Sequence, residues 1–156
     1  MAEPEHSARA TPVAESPVGP WLDRLIAVVV VAAAAGMVYA LRRVRPDGRG
    51  FGTHEQLGMQ PCGWPASYGF PCPTCGVTTA ASHLVHLEPI DAMIAQPFGA
   101  ALALVGLLGA GYAAVCLLTG RSYMDRIVRL PYGTAFVVGL ILLFASWLYK
   151  TLTFSP

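Results

Sequence analysis

Charge is what this chain has least of. Nine acidic and ten basic residues among 156 leave 12% charged, a formal net charge of +1 and 54% hydrophobic residues, where a soluble domain carries about 25% charged and roughly 45–50% apolar. With so even a balance, and no basic patch interleaved with aromatics, the chain offers no nucleic-acid footprint, and nucleic acid is not an expected partner. No run reads as a strand, so no glycine-rich phosphate loop can follow one. Nor does a nucleophile, base and acid set assemble. Ser82 and His83 are adjacent and face different ways on a helix, and Glu88 and Asp91 are a lone acidic pair beside a helix end.

Long apolar runs are what remains. Residues 25–41 hold 17 positions without a charge, residues 97–118 hold 22, and residues 130–149 hold 20. A helix rises 1.5 Å per residue and the hydrocarbon core is about 30 Å thick, so roughly 20 residues cross it. The expected fold class is all-α: an integral membrane three-helix bundle with spans at about 22–41, 97–118 and 130–149, multi-pass in the cell membrane, with the lipid bilayer as its first partner. A membrane protein partner or self-association is the second. Residues 1–20, rich in Pro, Ala and Glu, lack apolar periodicity and are expected to be disordered, so the membrane domain comprises 21–156. The first apolar run is longer than a signal-peptide core, which favours a retained span over a cleaved leader.

Lipid gives helices no hydrophobic drive to associate, so small residues at four-residue spacing mark expected contacts. Ala32, Gly36 and Ala40, then Gly106, Ala110 and Ala114, then Ala135 and Gly139 form such stripes. No acid or base falls inside the runs 25–41, 97–118 and 130–149, with Asp23 and Arg24 expected at the headgroups, which removes the polar relay of an ion transporter. Trp21, Tyr39, Trp147 and Tyr149 read as interface anchors. Basic residues number five on each side of the three spans and so set no orientation.

The long loop at 42–96 holds the chemistry. Glycines and prolines from Gly58 to Pro71 are too frequent for a helix, and then the texture changes at Cys72. Pro73 suits a first helical position, and Val77, Ala80, Ala81, Leu84 and Val85 share one apolar face, which predicts an interfacial amphipathic helix over about 74–87. With Cys72 as its cap, Cys75 would sit in the first turn, where free N–H groups and the helix dipole stabilise a thiolate. Cys72 and Cys75 are then the candidate attacking thiols and Cys62 the resolving one. The same residues suit metal: Cys62, Cys72 and Cys75 are three thiols within 14 residues, and His54 can complete the four ligands zinc prefers. His83 and His86 lie too far along the helix from Cys75 to share its ion.

Cys62, nine residues that include Gly69 and Pro71, then Cys72, Pro73, Thr74, Cys75, Gly76, Val77 and Thr78 carry a resemblance. The pattern resembles a widespread bacterial family of small membrane proteins, a domain of unknown function with the signature Cys, nine residues, Cys-Pro-x-Cys-Gly-x-Thr-Arg-Ala. The similarity continues to Gln96, Pro97 and Phe98, where the family has Asn-Pro-Leu. Two residues depart from it: Thr79 stands where the family has Arg, and Gln96 where it has Asn. The resemblance implies architecture rather than a reaction, and Thr79 removes a cation that would favour a thiolate at Cys75. The first reading is therefore a non-enzymatic accessory or structural membrane protein with a clip at the membrane surface made by the Cys-x-x-Cys pair Cys72 and Cys75, closed by disulfide or metal. A membrane thiol-disulfide oxidoreductase is the second reading, and a metal-binding protein using the loop cysteines the third.

Overall fold

The fold is known from a computed structural model that describes residues 17–153. Up to residue 16, the segment expected to be disordered lies outside the described residues. Seven helices follow one another among the described residues: α1 (Pro20–Arg42), α2 (Gly63–Tyr68), α3 (Val77–Val85), α4 (Pro89–Ala95), α5 (Pro97–Thr119), α6 (Tyr123–Val128) and α7 (Tyr132–Thr153), with a 3₁₀ turn at Thr53–Leu57. No strand occurs among them.

The three charge-poor runs become α1, α5 and α7, each long and apolar enough to cross a membrane. Proline opens α1 and α5 at positions where its missing N–H is not needed. Both α1 and α7 pack on α5, and α3 wedges against α1, α4 and α5. Three small clusters make the interior: Ala27, Ala113, Cys116 and Tyr123 at one end, Leu41, Val44, Ala81 and Val85 beside α3, and Ala80, Ala92, Ala95 and Ala100 where α3, α4 and α5 meet. Large side chains point outward instead, among them Leu108, Phe136 and Phe144.

Small residues do mediate the contacts, but in a different register from the expected stripes. An added Cβ at Gly36, Gly106 or Gly139 would meet nothing within 4 Å; of the expected stripes Ala110 is buried, and Ala27 and Ala113, outside them, are buried more deeply. The face of α5 that meets α1 is set by Ala113 and Cys116 against Ala27. Cys116 is a packing residue there.

Polar groups also shift the expected picture. Asp23, expected at a headgroup, is buried inside the fold and accepts hydrogen bonds from Ser122 Oγ (3.0 Å), Tyr123 N (3.1 Å) and Met124 N (2.8 Å). It thereby caps α6 from a hundred residues away. Lys150 lies within α7 and is buried as well.

The single interfacial helix expected over 74–87 is two helices. Leu87 at φ +66° breaks the chain between α3 and α4, and His83 Nδ1 meets Glu88 Oε2 at 2.7 Å across the turn. Upstream, the glycine- and proline-rich stretch from Gly58 to Pro71, expected to hold no helix, forms α2, just after the 3₁₀ turn. Pro65 is tolerated because it falls in the first turn of α2, where its N–H would have no partner.

Candidate functional site

The loop between α1 and α5 folds into a pocket of about 440 Å³ at the end of the molecule where α1 and α7 finish and α5 begins. Cys62, Cys72, Cys75 and His54 all line it, with Thr78 and Thr79 beside them. Four residues spread over 22 positions of sequence thus share one cavity.

Cys72 Sγ lies 3.8 Å from Cys62 Sγ, and both thiols act on Cys75 electrostatically. Thr74 Oγ1 is 3.6 Å from Cys72 Sγ. Cys62 and Cys72 are half-buried, while Cys75 is buried, at 7% exposure.

The expected cap at Cys72 does not form. Cys72–Cys75 is instead a reverse turn, closed by Cys75 N donating to Cys72 O at 3.0 Å, and helix α3 starts only at Val77. Gly76 separates the two. Its φ of +91° is left-handed, and a Cβ there would sit 2.6 Å from Gly50 O and 3.3 Å from Ala95 O, so neither conformation nor space admits another residue. Cys75 therefore lies one residue before the Gly76 cap of α3 rather than in its first turn. Burial pushes its thiol up from the usual 9 to about 11, the neighbouring Cys72 adds to this, and Lys150 opposes it.

Lys150 is the cation that the Thr79 position does not supply. Its Nζ donates to Gly50 O (3.0 Å) and Ala95 O (3.1 Å), the same two carbonyls that crowd Gly76, and lies 5.9 Å from the centre of the Phe51 ring. Thr79 has another role. Fully buried, its hydroxyl is 2.8 Å from that of Thr53, which accepts from Asp47 N at 3.0 Å and so ties α3 to the loop after α1.

Other ties reach the pocket from elements that the sequence reading assigned to lipid contact. Trp147 Nε1 donates to Pro71 O at 2.9 Å, next to Cys72, and Tyr149 Oη donates to Ile94 O at 3.0 Å. These residues clamp the cysteine loop to α7. Phe70 continues the clamp, its ring 6.4 Å from that of Trp147 and 6.3 Å from that of Trp64 in α2. Gln96 Oε1 accepts from Gly99 N to cap α5, and its amide donates to Pro73 O at 3.4 Å. Gly99 lets α3 approach, since a Cβ there would lie 2.7 Å from Val77 Cα. Gly69 closes α2, and Pro97 opens α5.

At the mouth, Arg49 bridges Asp47 (2.8 Å) and Glu55 (3.3 Å). The hydrogen bonds from Arg49 hold the Asp47 carboxyl below the usual carboxylate range. A second group of metal-type ligands stands apart from the thiols: the ligand atoms of His83, Glu88 and Asp91 lie within 4.8 Å of one another at the α3–α4 turn. In the sequence His83 is too far from Cys75 to share an ion with it, and Glu88 and Asp91 read as a lone acidic pair, so the three were not expected to meet.

Neither the curated proteins nor the solved structures contain a match to the chain. Residues 62–110, from the first pocket cysteine to the middle of α5, match the family model described as "Protein of unknown function (DUF2752)".

Proposed function

We propose that α1, α5 and α7 cross a bilayer and that the chain is a non-enzymatic accessory or structural protein of the cell membrane, whose loop is closed at the membrane surface by a Cys62–Cys72 clip. The apolar, outward-facing side chains of the three long helices support the membrane reading. One observation carries the clip: two half-buried thiols, ten positions apart, face each other at 3.8 Å. A disulfide needs about 2.05 Å between sulfurs, so closing it shortens the 3.8 Å separation by less than 2 Å. Closing it would pin α2 across the pocket and fasten Pro71, hence the Trp147 tie, to the rest of the loop.

Disulfide mapping after rapid alkylation tests this, together with Cys62→Ser and Cys72→Ser. The expected result is a Cys62–Cys72 linkage and a loss of about 2–3 kcal/mol in each variant, the chain-entropy value for a loop of this size. A linkage through Cys75, or variants as stable as the parent under oxidising conditions, would overturn it.

A metal clip is the second reading, favoured by one number. Zinc–sulfur bonds of 2.3 Å in a tetrahedron place neighbouring sulfurs about 3.8 Å apart, which is the Cys62–Cys72 separation. Cys62 and Cys72 would supply two of the ligands, and Cys75 and His54, which line the same pocket, would have to move in to complete the set, since no three of these four ligand atoms lie within 4.8 Å of one another. Zinc that copurifies with the parent and is lost in Cys72→Ser would favour this reading over the disulfide.

A further inference from the structure

Helix α4 places its side chains in the reverse of the order that water favours. At about 100° per residue, Ile90, Met93 and Ile94 share one face of the helix, and Ala92 and Ala95 the opposite face. The small residues point inward: Ala92 and Ala95 are buried in one cluster with Ala80 of α3 and Ala100 of α5. The large ones point outward, with Ile90 75%, Met93 51% and Ile94 59% exposed. A contiguous outward apolar patch marks a surface for lipid or for another protein. Its depth in the proposed membrane decides between them.

Three hydrogen bonds fix that depth. Tyr149 Oη donates to Ile94 O at 3.0 Å and Lys150 Nζ to Ala95 O at 3.1 Å, so the end of α4 is level with the last two turns of α7. Phe98 N, in the first turn of α5, donates to Ser146 Oγ at 3.2 Å. Since α5 begins at Pro97 and α7 finishes at Thr153, these ties set α4 at the edge of the proposed spans, the level at which interfacial tyrosines sit. There, amphipathic helices bury an apolar face roughly 5–10 Å into the boundary of headgroups and acyl chains. The face of α4 also continues into a groove. Pro89, Ile90, Met93, Ile94, Pro97 and Tyr149 line an open recess between α4 and α7. Its side chains carry no charge, and the one hydroxyl among them, that of Tyr149, is already bonded to Ile94 O.

We infer that α4, rather than α3, is the element that rests in the bilayer interface, and that the groove it forms with Pro97 and Tyr149 seats a phospholipid acyl chain from the leaflet on the pocket side. This rests on the reading that α1, α5 and α7 cross the bilayer. Helix α3, to which apolar periodicity had pointed, spends that face inside the protein, where Ala80, Ala81 and Val85 are buried. The charged groups of α4 and its N-cap are the exposed acids Asp91 and Glu88. They flank the apolar face without offering a cation to an anionic headgroup, so the contact is with hydrocarbon and does not require an anionic lipid.

The test uses the full-length chain in phosphatidylcholine vesicles, with the photoprobe p-benzoylphenylalanine placed at Ile90 or, for comparison, at Phe144, which is 61% exposed midway along α7. Intact mass after illumination reads what the probe has joined. A lipid adduct at Ile90 is expected, in a yield within about threefold of that at Phe144, as both positions then face hydrocarbon. A probe at Met93 gives the same reading should the Ile90 variant fail to fold. Lipid adducts at Phe144 but at neither Ile90 nor Met93 would overturn the inference and leave the crossing helices standing. An adduct between two copies of the chain at Ile90 would overturn it in favour of a face for self-association. Absence of lipid adducts at all three positions would instead sink the bilayer reading beneath it.

Discussion

At Cys75 two physical effects compete for a proton. Burial in a low-dielectric site disfavours the thiolate, and the ammonium of Lys150 favours it; burial wins, leaving the thiol at about 11. Below about pH 9 this thiol is neutral in both folded and unfolded chains and adds no pH dependence. Between pH 9 and 11 the unfolded chain ionises while the folded chain does not, so its contribution to stability is lost as pH rises through that window. Alkylation of Cys75 in a Cys62→Ser/Cys72→Ser background should therefore show a midpoint well above 9. The Cys72 thiol adds to the upward shift in the parent, so its removal lowers the midpoint somewhat from 11. Lys150→Met should raise the midpoint, and Lys150→Arg should keep it near the parent value, with the rate-against-pH profile as the measurement. Another residue calls for a simpler change. The Ser82 hydroxyl is buried in α3 without a hydrogen-bond partner, so Ser82→Ala should raise stability by about 1 kcal/mol in thermal unfolding.

Elements are held to one another by a few polar knots rather than by a broad core. Helix α6 is six residues long, too short to persist unaided, and Asp23 gives it three hydrogen bonds from α1. Asp23→Ala should cost about 2 kcal/mol and melt α6 first, seen as faster amide exchange at 123–128 with α5 unchanged. Gly76 is the other knot, where the turn of the two cysteines, the carbonyls of Gly50 and Ala95 and the Lys150 ammonium converge. Gly76→Ala pairs a strained left-handed backbone with a contact to immovable carbonyl oxygen, so a loss of about 3 kcal/mol or failure to fold is expected, read as folded yield.

For the whole molecule, the arrangement places the pocket and the end of α7 together, and α6 with the start of α1 at the opposite end. If the three long helices cross the bilayer, these two ends face different compartments. After reduction, a membrane-impermeant maleimide should then label Cys72 and a cysteine introduced at Thr153 from one side of the membrane, and a cysteine introduced at Arg121 from the other. Labelling of all three from one side would remove the crossing arrangement. Helix α7 packs along α5 but is fastened to the loop by Trp147, Tyr149 and Lys150 at its last two turns. Its N-terminal half is exposed at Phe136, Val137 and Val138, so its free length rests on lipid in the proposed setting.

Period and composition were enough to place the three long helices, because a charge-free run of roughly 20 residues has few other ways to satisfy its backbone. They were also enough to bring suspicion on Cys62, Cys72, Cys75 and His54, whose residue types carry their chemistry with them. Where those groups meet was a matter of distant partners. A left-handed Gly76 cut Cys75 out of the helix that periodicity had assigned to it, and a lysine at the far end of the chain stood in for the cation missing at Thr79. Local pattern describes how a segment folds on itself; hydrogen bonds spanning a hundred residues, such as Lys150 to Gly50 or Tyr123 to Asp23, depend on which faces three helices happen to turn toward each other.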